Sequence, residues 1–124
     1  MSPAHSVQYA FIISEIVMKS INEIADSFLR ESTEDYVGLW AIAPTVRRDL
    51  GLSNNAAVKT CTLDVVRILL DHGLLPGDFD YDNSKIYFWQ EHDPAAIIAR
   101  IDREWDPAKG DPDLAESICW FSKP

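Results

Sequence analysis

The sequence NAAVKTCTLDVVRILLDHGLLPGDFDYDNSKIYFW, residues Asn55 to Trp89, decides the fold of this chain. Its first half places apolar residues three and four positions apart, which predicts an amphipathic helix that ends before Gly73. Its second half contains two short apolar runs, Leu74-Leu75 and residues 86–89, on either side of an acidic, turn-forming stretch over residues 76–84. This pattern is typical of a β-hairpin. A helix followed by a β-hairpin is the second half of a winged helix.

The residues before this stretch supply the remaining helices of such a unit. The pattern over residues 41–50 predicts a short helix that ends at Gly51. Ser53 or Asn54 is then placed to cap the long helix that follows. Residues 6–30 show the longest helical pattern, and their broad apolar stripe predicts packing against the winged unit or against a second copy of itself. The second arrangement would give a homodimer through residues 6–30.

Beyond the hairpin, Asp-Pro pairs at Asp93 and Asp111 predict two helix starts. Asp accepts hydrogen bonds from free backbone N–H groups, and Pro fits the first helical turn. The first pair opens a helix over residues 95–105, and the apolar residues 118–121 follow as a plug or edge strand. We therefore expect a single α+β domain over residues 1–124, mostly helical, with a winged-helix-like centre (helix, helix, β-hairpin) and C-terminal helices.

The charge of the chain is acidic and unevenly placed. There are 20 acidic and 11 basic residues, a formal net charge of −9, and the pI is about 4.6. Residues 71–116 contain 12 acids and 4 bases, whereas residues 1–70 contain 8 and 6. Such a field repels phosphate backbones and anionic membranes and attracts cationic partners. We therefore expect no membrane partner and consider nucleic acid a poor one.

The cysteines and the N-terminal residues indicate the compartment. Cys61 and Cys119 lie among apolar neighbours, which predicts buried free thiols in a reducing environment, with a disulfide between them as the alternative. The apolar run Tyr9 to Val17 contains Glu15 and follows no basic segment, so neither a signal peptide nor a membrane span is indicated. We expect a cytoplasmic protein.

The sequence contains no recognisable catalytic motif. It lacks a nucleophile motif, a Gly-rich phosphate loop and an HExxH pattern. Asp78, Asp80 and Asp82 alternate as at the start of a calcium-binding loop. The sixth and twelfth positions of such a loop need Gly and Glu, and here they are Asn83 and Trp89. We therefore expect no enzyme activity, no catalytic residue, no metal site and no cofactor.

The acidic hairpin instead predicts a surface that binds a protein. Alternation along an extended tip would place Asp78, Asp80 and Asp82 on one face and aromatic residues on the other. Three like charges on one face are unfavourable alone and become favourable opposite a basic partner. Tyr and Trp beside carboxylates are typical of protein interfaces. The candidate partner-binding residues are Asp78, Asp80, Tyr81, Asp82, Tyr87, Glu91 and Asp93.

Two stretches, Leu69 to Phe79 and Ile97 to Trp105 with residues 118–121, resemble a broad group of small, winged-helix-like bacterial proteins without a characterised function. The resemblance covers residues 60–121, and its motifs are structural. In size, acidity and lack of catalytic motifs, the chain is also similar to immunity proteins, including those of contact-dependent growth inhibition systems. That similarity implies an acidic protein-binding module, an immunity protein that binds and neutralises a basic, nuclease-type bacterial toxin domain.

The alternative is a dimeric winged-helix DNA-binding transcriptional regulator. The helix from Asn55 would then contact the bases. It offers Lys59 and Arg67 as cations, against the carboxylates of Asp64 and Asp71. Because affinity for nucleic acid depends largely on neutralising phosphates, a dimer would be needed to assemble a positive surface.

Overall fold

The computed structural model describes the backbone of residues 3–124 and the side chains of residues 15–124. Within that range the chain has an α+β fold with four α-helices and one four-stranded antiparallel sheet, which confirms the predicted fold class. The helices are α1 (Pro3–Glu31), α2 (Leu39–Asp49), α3 (Asn55–Asp71) and α4 (Pro94–Glu104), followed by a 3-10 turn at Pro107–Lys109. The strands are β1 (Val37–Gly38), β2 (Leu75–Asp80), β3 (Lys85–Phe88) and β4 (Trp120–Ser122).

Local signals fix the ends of the central helices. The Asn54 side chain caps α3 by accepting a hydrogen bond of 3.0 Å from the backbone N–H of Ala57. Gly51 and Gly73 follow α2 and α3 with φ angles of 63° and 91°, a left-handed conformation that favours glycine. Asp93 caps α4. The predicted order of helix, helix and β-hairpin is therefore confirmed.

Helix α1 contains the predicted residues 6–30 and begins earlier, at Pro3, because proline suits the first turn of a helix. On its described part, Ile16 and Met18 are 57% and 48% exposed. The side chains of residues 6–14 lie outside the described residues, so the homodimer through residues 6–30 stays a prediction.

The first arm of the hairpin is longer than predicted. Residues 76–84 were expected to form the turn, but β2 continues through Asp80 and leaves residues 81–84 for it. Pro76 is tolerated within β2 because it lies at the end of the ladder with β3, where its carbonyl accepts a hydrogen bond from the Trp89 N–H. Asp78 and Asp80 therefore lie within a strand and not at the hairpin tip.

The end of the described chain also differs from the prediction. Strand β4 is not an edge strand: the sheet order is β1-β4-β2-β3, so β4 pairs with neighbours on both sides. The Asp-Pro pair at Asp111 starts no helix. The helical turn lies earlier and is capped by Asp106, whereas the Asp111 carboxylate accepts two hydrogen bonds from Arg47.

The core lies between the helices and one face of the sheet, which we call the inner face. Phe121 on β4 and Val37 on β1 pair in register on that face and are buried, as is Trp89 just after β3. The helices contribute buried apolar side chains that include Ile21, Ile24, Phe28, Leu39, Ile42, Val46, Val58, Val65, Leu69, Ile97 and Ile101. The opposite, outer face of the sheet is not part of this core.

Both cysteines are free thiols. Cys119 is buried, and burial raises the pKa of its thiol well above the ordinary value. Cys61 is half-buried, and desolvation raises its thiol pKa as well. Thiols held in the protonated form are poor nucleophiles. The predicted free thiols are confirmed, and the disulfide alternative is wrong.

Candidate protein-binding surface

The seven candidate residues are distributed over two faces of the hairpin. Asp78, Asp80 and Tyr87 project toward the inner-face side of β2 and β3. Tyr81 lies on the outer side, where its ring packs 4.9 Å from that of Phe79, centroid to centroid. The predicted alternation of carboxylates and aromatic rings is therefore observed. The other three candidates lie in the turn and in the connection to α4: Asp82, Glu91 and Asp93.

On the inner-face side, two candidate carboxylates belong to a cluster around Arg100. The guanidinium of Arg100 lies over the Trp89 ring, 3.6 Å from its centroid, and donates to Glu91 at 3.2 Å and to Glu104 at 2.8 Å. The Trp89 indole N–H donates to Asp78 at 3.0 Å. Asp78 and Glu91 thus have partners within the molecule, which joins α4 to the hairpin and partly neutralises their charge.

Two further candidates also have structural contacts. Asp80 accepts hydrogen bonds from the backbone N–H groups of Asp82 and Asn83 and from the Asn83 side chain. These bonds, chiefly the one from the Asn83 side chain, hold the pKa of Asp80 below its ordinary value. Asp93 caps α4. Asp82 and Tyr87 are exposed, and their side chains form no hydrogen bond with residues 15–124.

The outer face of the sheet holds a group of rings that we call the aromatic cluster: Tyr36, Trp40, Phe79, Tyr81 and Trp120. Phe79 is at its centre, with ring centroids 5.7 Å from Tyr36 and 4.9 Å from both Tyr81 and Trp120. Trp40, in the first turn of α2, lies 6.2 Å from Trp120. Such tilted and edge-on arrangements are favourable for aromatic pairs.

Two glycines, Gly38 in β1 and Gly77 in β2, flank Trp120 in the neighbouring strands. A Cβ atom at Gly38 would collide with the Trp40 ring, so glycine at this position makes room for the aromatic cluster. A Cβ atom at Gly77 would lie 2.7 Å from both Ile86 and the Tyr87 carbonyl, so glycine at that position allows the close approach of β2 and β3.

The border of the aromatic cluster is apolar and acidic. Tyr81 is 52% exposed, and Phe88, which faces the same side as Gly77, is 41% exposed. The Tyr81 hydroxyl donates to the carbonyl of Leu114, itself 49% exposed, on a segment that also includes Asp113 and Glu116. The chain neighbours of the cluster add further exposed carboxylates: Asp35 beside Tyr36, and Asp82 beside Tyr81. The outer face thus combines exposed aromatic rings with a rim of negative charge.

Sequence reasoning identified only part of this surface. The alternation along the hairpin placed Phe79 and Tyr81 together, opposite the carboxylates. Tyr36, Trp40 and Trp120 join them only because β1 and β4 pair side by side next to β2. No local pattern indicates that pairing, and the closing aromatic residues were expected at an edge or in a plug.

Two of the cations that could contact DNA, Arg47 and Lys59, are already engaged within the molecule, whereas Arg67 pairs only with Asp71 among residues 15–124, on the surface of α3. Arg47 donates to both oxygens of Asp111 at 2.9 Å and to the Asn55 side chain at 2.6 Å. The Lys59 ammonium lies 2.9 Å from the Asp102 carboxylate and donates to backbone carbonyls at the end of α4. Helix α3 itself packs against α1, α2, α4 and the 3-10 turn. This arrangement disfavours contact between α3 and a phosphate backbone.

The described residues offer no metal site and no membrane-spanning helix. Across residues whose side chains are described, no group of three His, Cys, Asp or Glu residues is arranged to hold a metal ion. Among the helices of the described range, none is long and apolar enough to cross a lipid bilayer.

Comparisons with known protein families, with curated proteins and with solved structures find no match for this chain. The resemblance of residues 60–121 to small bacterial proteins, and the similarity to immunity proteins, therefore stay predictions. The function has to be argued from the surface of the molecule.

Proposed function

We propose that this chain is a cytoplasmic, non-enzymatic immunity protein that binds a basic bacterial toxin domain of nuclease type and neutralises it. The main support is the composition of the hairpin surface, where exposed aromatic rings lie beside carboxylates. Interfaces are enriched in aromatic residues that become buried on binding, surrounded by a polar rim. An exposed aromatic surface with an acidic rim is therefore suited to a partner that is both apolar and positively charged.

The charge distribution supports the same proposal. Residues 71–116 contain 12 acidic and 4 basic side chains, and this segment includes the whole hairpin and α4. A concentrated negative field accelerates the encounter with a basic protein and slows the encounter with nucleic acid. The effect is screened beyond about 8 Å at physiological ionic strength. Association with the partner should therefore weaken as salt is added.

The proposed mechanism is occlusion of the toxin. A nuclease must bind phosphate groups, so its substrate-binding surface is basic. An acidic hairpin that covers this surface would exclude nucleic acid without any chemical step. Asp82 and Tyr87 are exposed and have no hydrogen-bonding partner among residues 15–124, so they are available for such contacts.

A capture experiment from a lysate of the source organism tests this proposal. The tagged protein is immobilised at low salt and eluted at high salt, and the eluate is analysed by mass spectrometry and for nucleic acid. The comparison uses a hairpin variant, D78N/D80N/D82N, and a control variant, E15Q/E23Q/D26N, whose three exposed residues lie on α1. Both variants remove the same charge.

The proposal is supported if one basic protein is retained by the wild type and the control and is lost by the hairpin variant. That protein should stop growth when it is expressed alone, and growth should return when this chain is co-expressed. Recovery of specific DNA would instead support the dimeric winged-helix regulator. A captured protein that has no effect on growth would contradict the immunity function.

A further inference from the structure

We infer that the outer face of the sheet, meaning the aromatic cluster with Phe88, binds a loop of the partner that presents an arginine or lysine side chain. The cation would stack on the exposed ring of Tyr81, beside the half-buried ring of Trp120, while the apolar part of the loop covers Phe88. The inference rests on the proposed function, because it assigns the surface of contact and the chemistry of the partner segment that occupies it.

The outer face of the sheet exposes an apolar surface. Tyr81, Phe88 and Leu114 are each more than two-fifths exposed, and all three lie on or beside the outer face. Ile86 is buried on this side of the sheet, yet it does not belong to the main core. The outer face therefore has a small apolar cluster of its own, and the side chains that surround it remain partly exposed to solvent. Contiguous exposed apolar surface on a monomer typically marks an interaction site.

The charge near the aromatic cluster favours a cationic partner segment. Aromatic ring faces carry negative potential, and cations within about 6 Å of a ring centroid are attracted to them. Asp35 and Asp82 are exposed chain neighbours of Tyr36 and Tyr81, and Asp113 precedes Leu114, whose carbonyl accepts from the Tyr81 hydroxyl, so negative charge lies near the cluster. A neutral apolar segment would gain nothing from this rim, whereas a guanidinium or ammonium group gains from both the rings and the carboxylates.

The inner-face side of the sheet already shows this mode of binding within the molecule. Arg100 lies 3.6 Å from the centroid of the Trp89 ring and pairs with carboxylates. Lys85 lies over Tyr87 at 5.3 Å. The outer face has the same components, rings and nearby carboxylates, but the cation is missing from the contacts among residues 15–124. The partner would supply it.

The four tryptophans lie in two different environments, so their indole N–H resonances can distinguish a ligand bound at the aromatic cluster from one bound elsewhere. Trp40 and Trp120 belong to the aromatic cluster, and the Trp40 indole N–H has no hydrogen-bond partner among the described residues. The Trp89 and Trp105 indoles donate to Asp78 and to the Gly110 carbonyl, away from the cluster. The four indole N–H resonances of ¹⁵N-labelled protein therefore locate a bound cation.

The probe is a synthetic peptide of alternating leucine and arginine, compared with the same peptide containing citrulline, which keeps the shape of arginine without its charge. We expect the arginine peptide to shift the Trp40 and Trp120 indole resonances and to leave those of Trp89 and Trp105 unchanged. The citrulline peptide should bind about threefold more weakly, as expected for loss of an exposed cation–π contact.

An exposed apolar residue away from the sheet provides the matched control. Phe88→Ala and Tyr81→Ala should each weaken binding of the arginine peptide by about threefold. Met18→Ala should leave it unchanged, although Met18 is 48% exposed, because it lies on α1, which packs against α3 and α2. Tyr81→Phe, which loses only the hydrogen bond to Leu114, should bind like the wild type. Circular dichroism checks that each variant is folded.

The inference is overturned if the arginine peptide shifts Trp89 instead, if both peptides bind equally, or if neither shifts any indole at millimolar concentration. The NMR experiment with the synthetic peptides needs no natural partner, so its result is independent of the capture experiment from the lysate. A captured basic protein whose affinity is unchanged by Phe88→Ala and Tyr81→Ala would overturn this inference and leave the proposed function intact.

Discussion

The guanidinium of Arg100 lies 3.6 Å from the centre of the Trp89 ring. Arg100 is in α4 and Trp89 directly follows β3, so this contact joins α4 to the hairpin. The Arg100 side chain is 26% exposed and also pairs with Glu91 and Glu104. Because the Trp89 ring and two carboxylates surround it, this cation acts as a structural residue and not as part of a free basic surface.

Replacing Arg100 should therefore destabilise the protein. Arg100→Ala should lower the free energy of unfolding by about 1–2 kcal/mol, since a stacked cation–π contact and two partly exposed ion pairs are lost. Urea denaturation measures the change. Arg103→Ala, on an exposed position of the same helix, is the control and should stay within about 0.5 kcal/mol of the wild type. Equal effects would show that the contact with Trp89 contributes no stability.

Stability at acidic pH should depend on Asp80. Its pKa in the folded protein lies below the ordinary value because the Asn83 side chain and two backbone N–H groups donate to it. The stabilisation is therefore complete above the ordinary aspartate pKa and is lost as pH falls through the lower pKa of the folded state. An NMR titration of the carboxyl carbon should show the low pKa in the wild type and a rise toward the ordinary value in Asn83→Ala.

The same titration with Asn22→Ala, an exposed asparagine on α1, provides the control and should leave the Asp80 pKa unchanged. If Asn83→Ala also leaves it unchanged, the hydrogen bond from the Asn83 side chain does not set the charge of this turn.

The hairpin charges should control the rate of association with the partner. With a captured basic partner, D78N/D80N/D82N should associate about tenfold more slowly at low salt, and the difference should shrink at high salt. The loss of stability should be limited to the hydrogen bond from the Asn83 side chain to Asp80, because Asn keeps one acceptor oxygen for the Trp89 indole and for the backbone N–H groups of the turn. Stopped-flow fluorescence measures the rates. Equal slowing in E15Q/E23Q/D26N would indicate an effect of net charge rather than of the hairpin.

The local elements of the fold were predictable because short-range signals determine them. Asn54, Gly51, Gly73 and Asp93 mark helix ends through hydrogen bonds or backbone angles formed by their own neighbours. The length of β2 was not predictable in this way. Pro76 suggested a turn, because proline has no N–H to donate. It lies at the end of the hydrogen-bonded ladder between β2 and β3, where a strand tolerates the lack of a donor.

The long-range features were not predictable from these patterns. The Asp-Pro pair at Asp111 is a regular signal for the start of a helix. The Asp111 carboxylate instead accepts two hydrogen bonds from Arg47, which is distant in the sequence. The position of β4 depends on pairing Phe121 with Val37 and with Pro76. The candidate carboxylates were therefore found, whereas the aromatic half of the surface appeared only with the complete sheet.

Close packing at Gly77 should make this position intolerant of any side chain. Gly77→Ala should lower the free energy of unfolding by about 2 kcal/mol, because the new methyl group meets Ile86 and the Tyr87 carbonyl at 2.7 Å. Gly38→Ala should lower the free energy of unfolding by less, since the new methyl group would meet the Trp40 ring, a side chain that can move. Thermal and urea denaturation of both variants measure the difference. A smaller cost at Gly77 than at Gly38 would contradict the close approach of β2 and β3.

Strand β4 also affects the order of events during protein synthesis. Trp120 and Phe121 are consecutive, yet one ring belongs to the aromatic cluster and the other to the core. Until the ribosome has released residues 120–122, β1 and β2 have no strand between them, and the core lacks one of its largest side chains. Folding and acquisition of the outer surface therefore occur together. A nascent chain that stops before Trp120 can neither complete its core nor assemble the aromatic cluster.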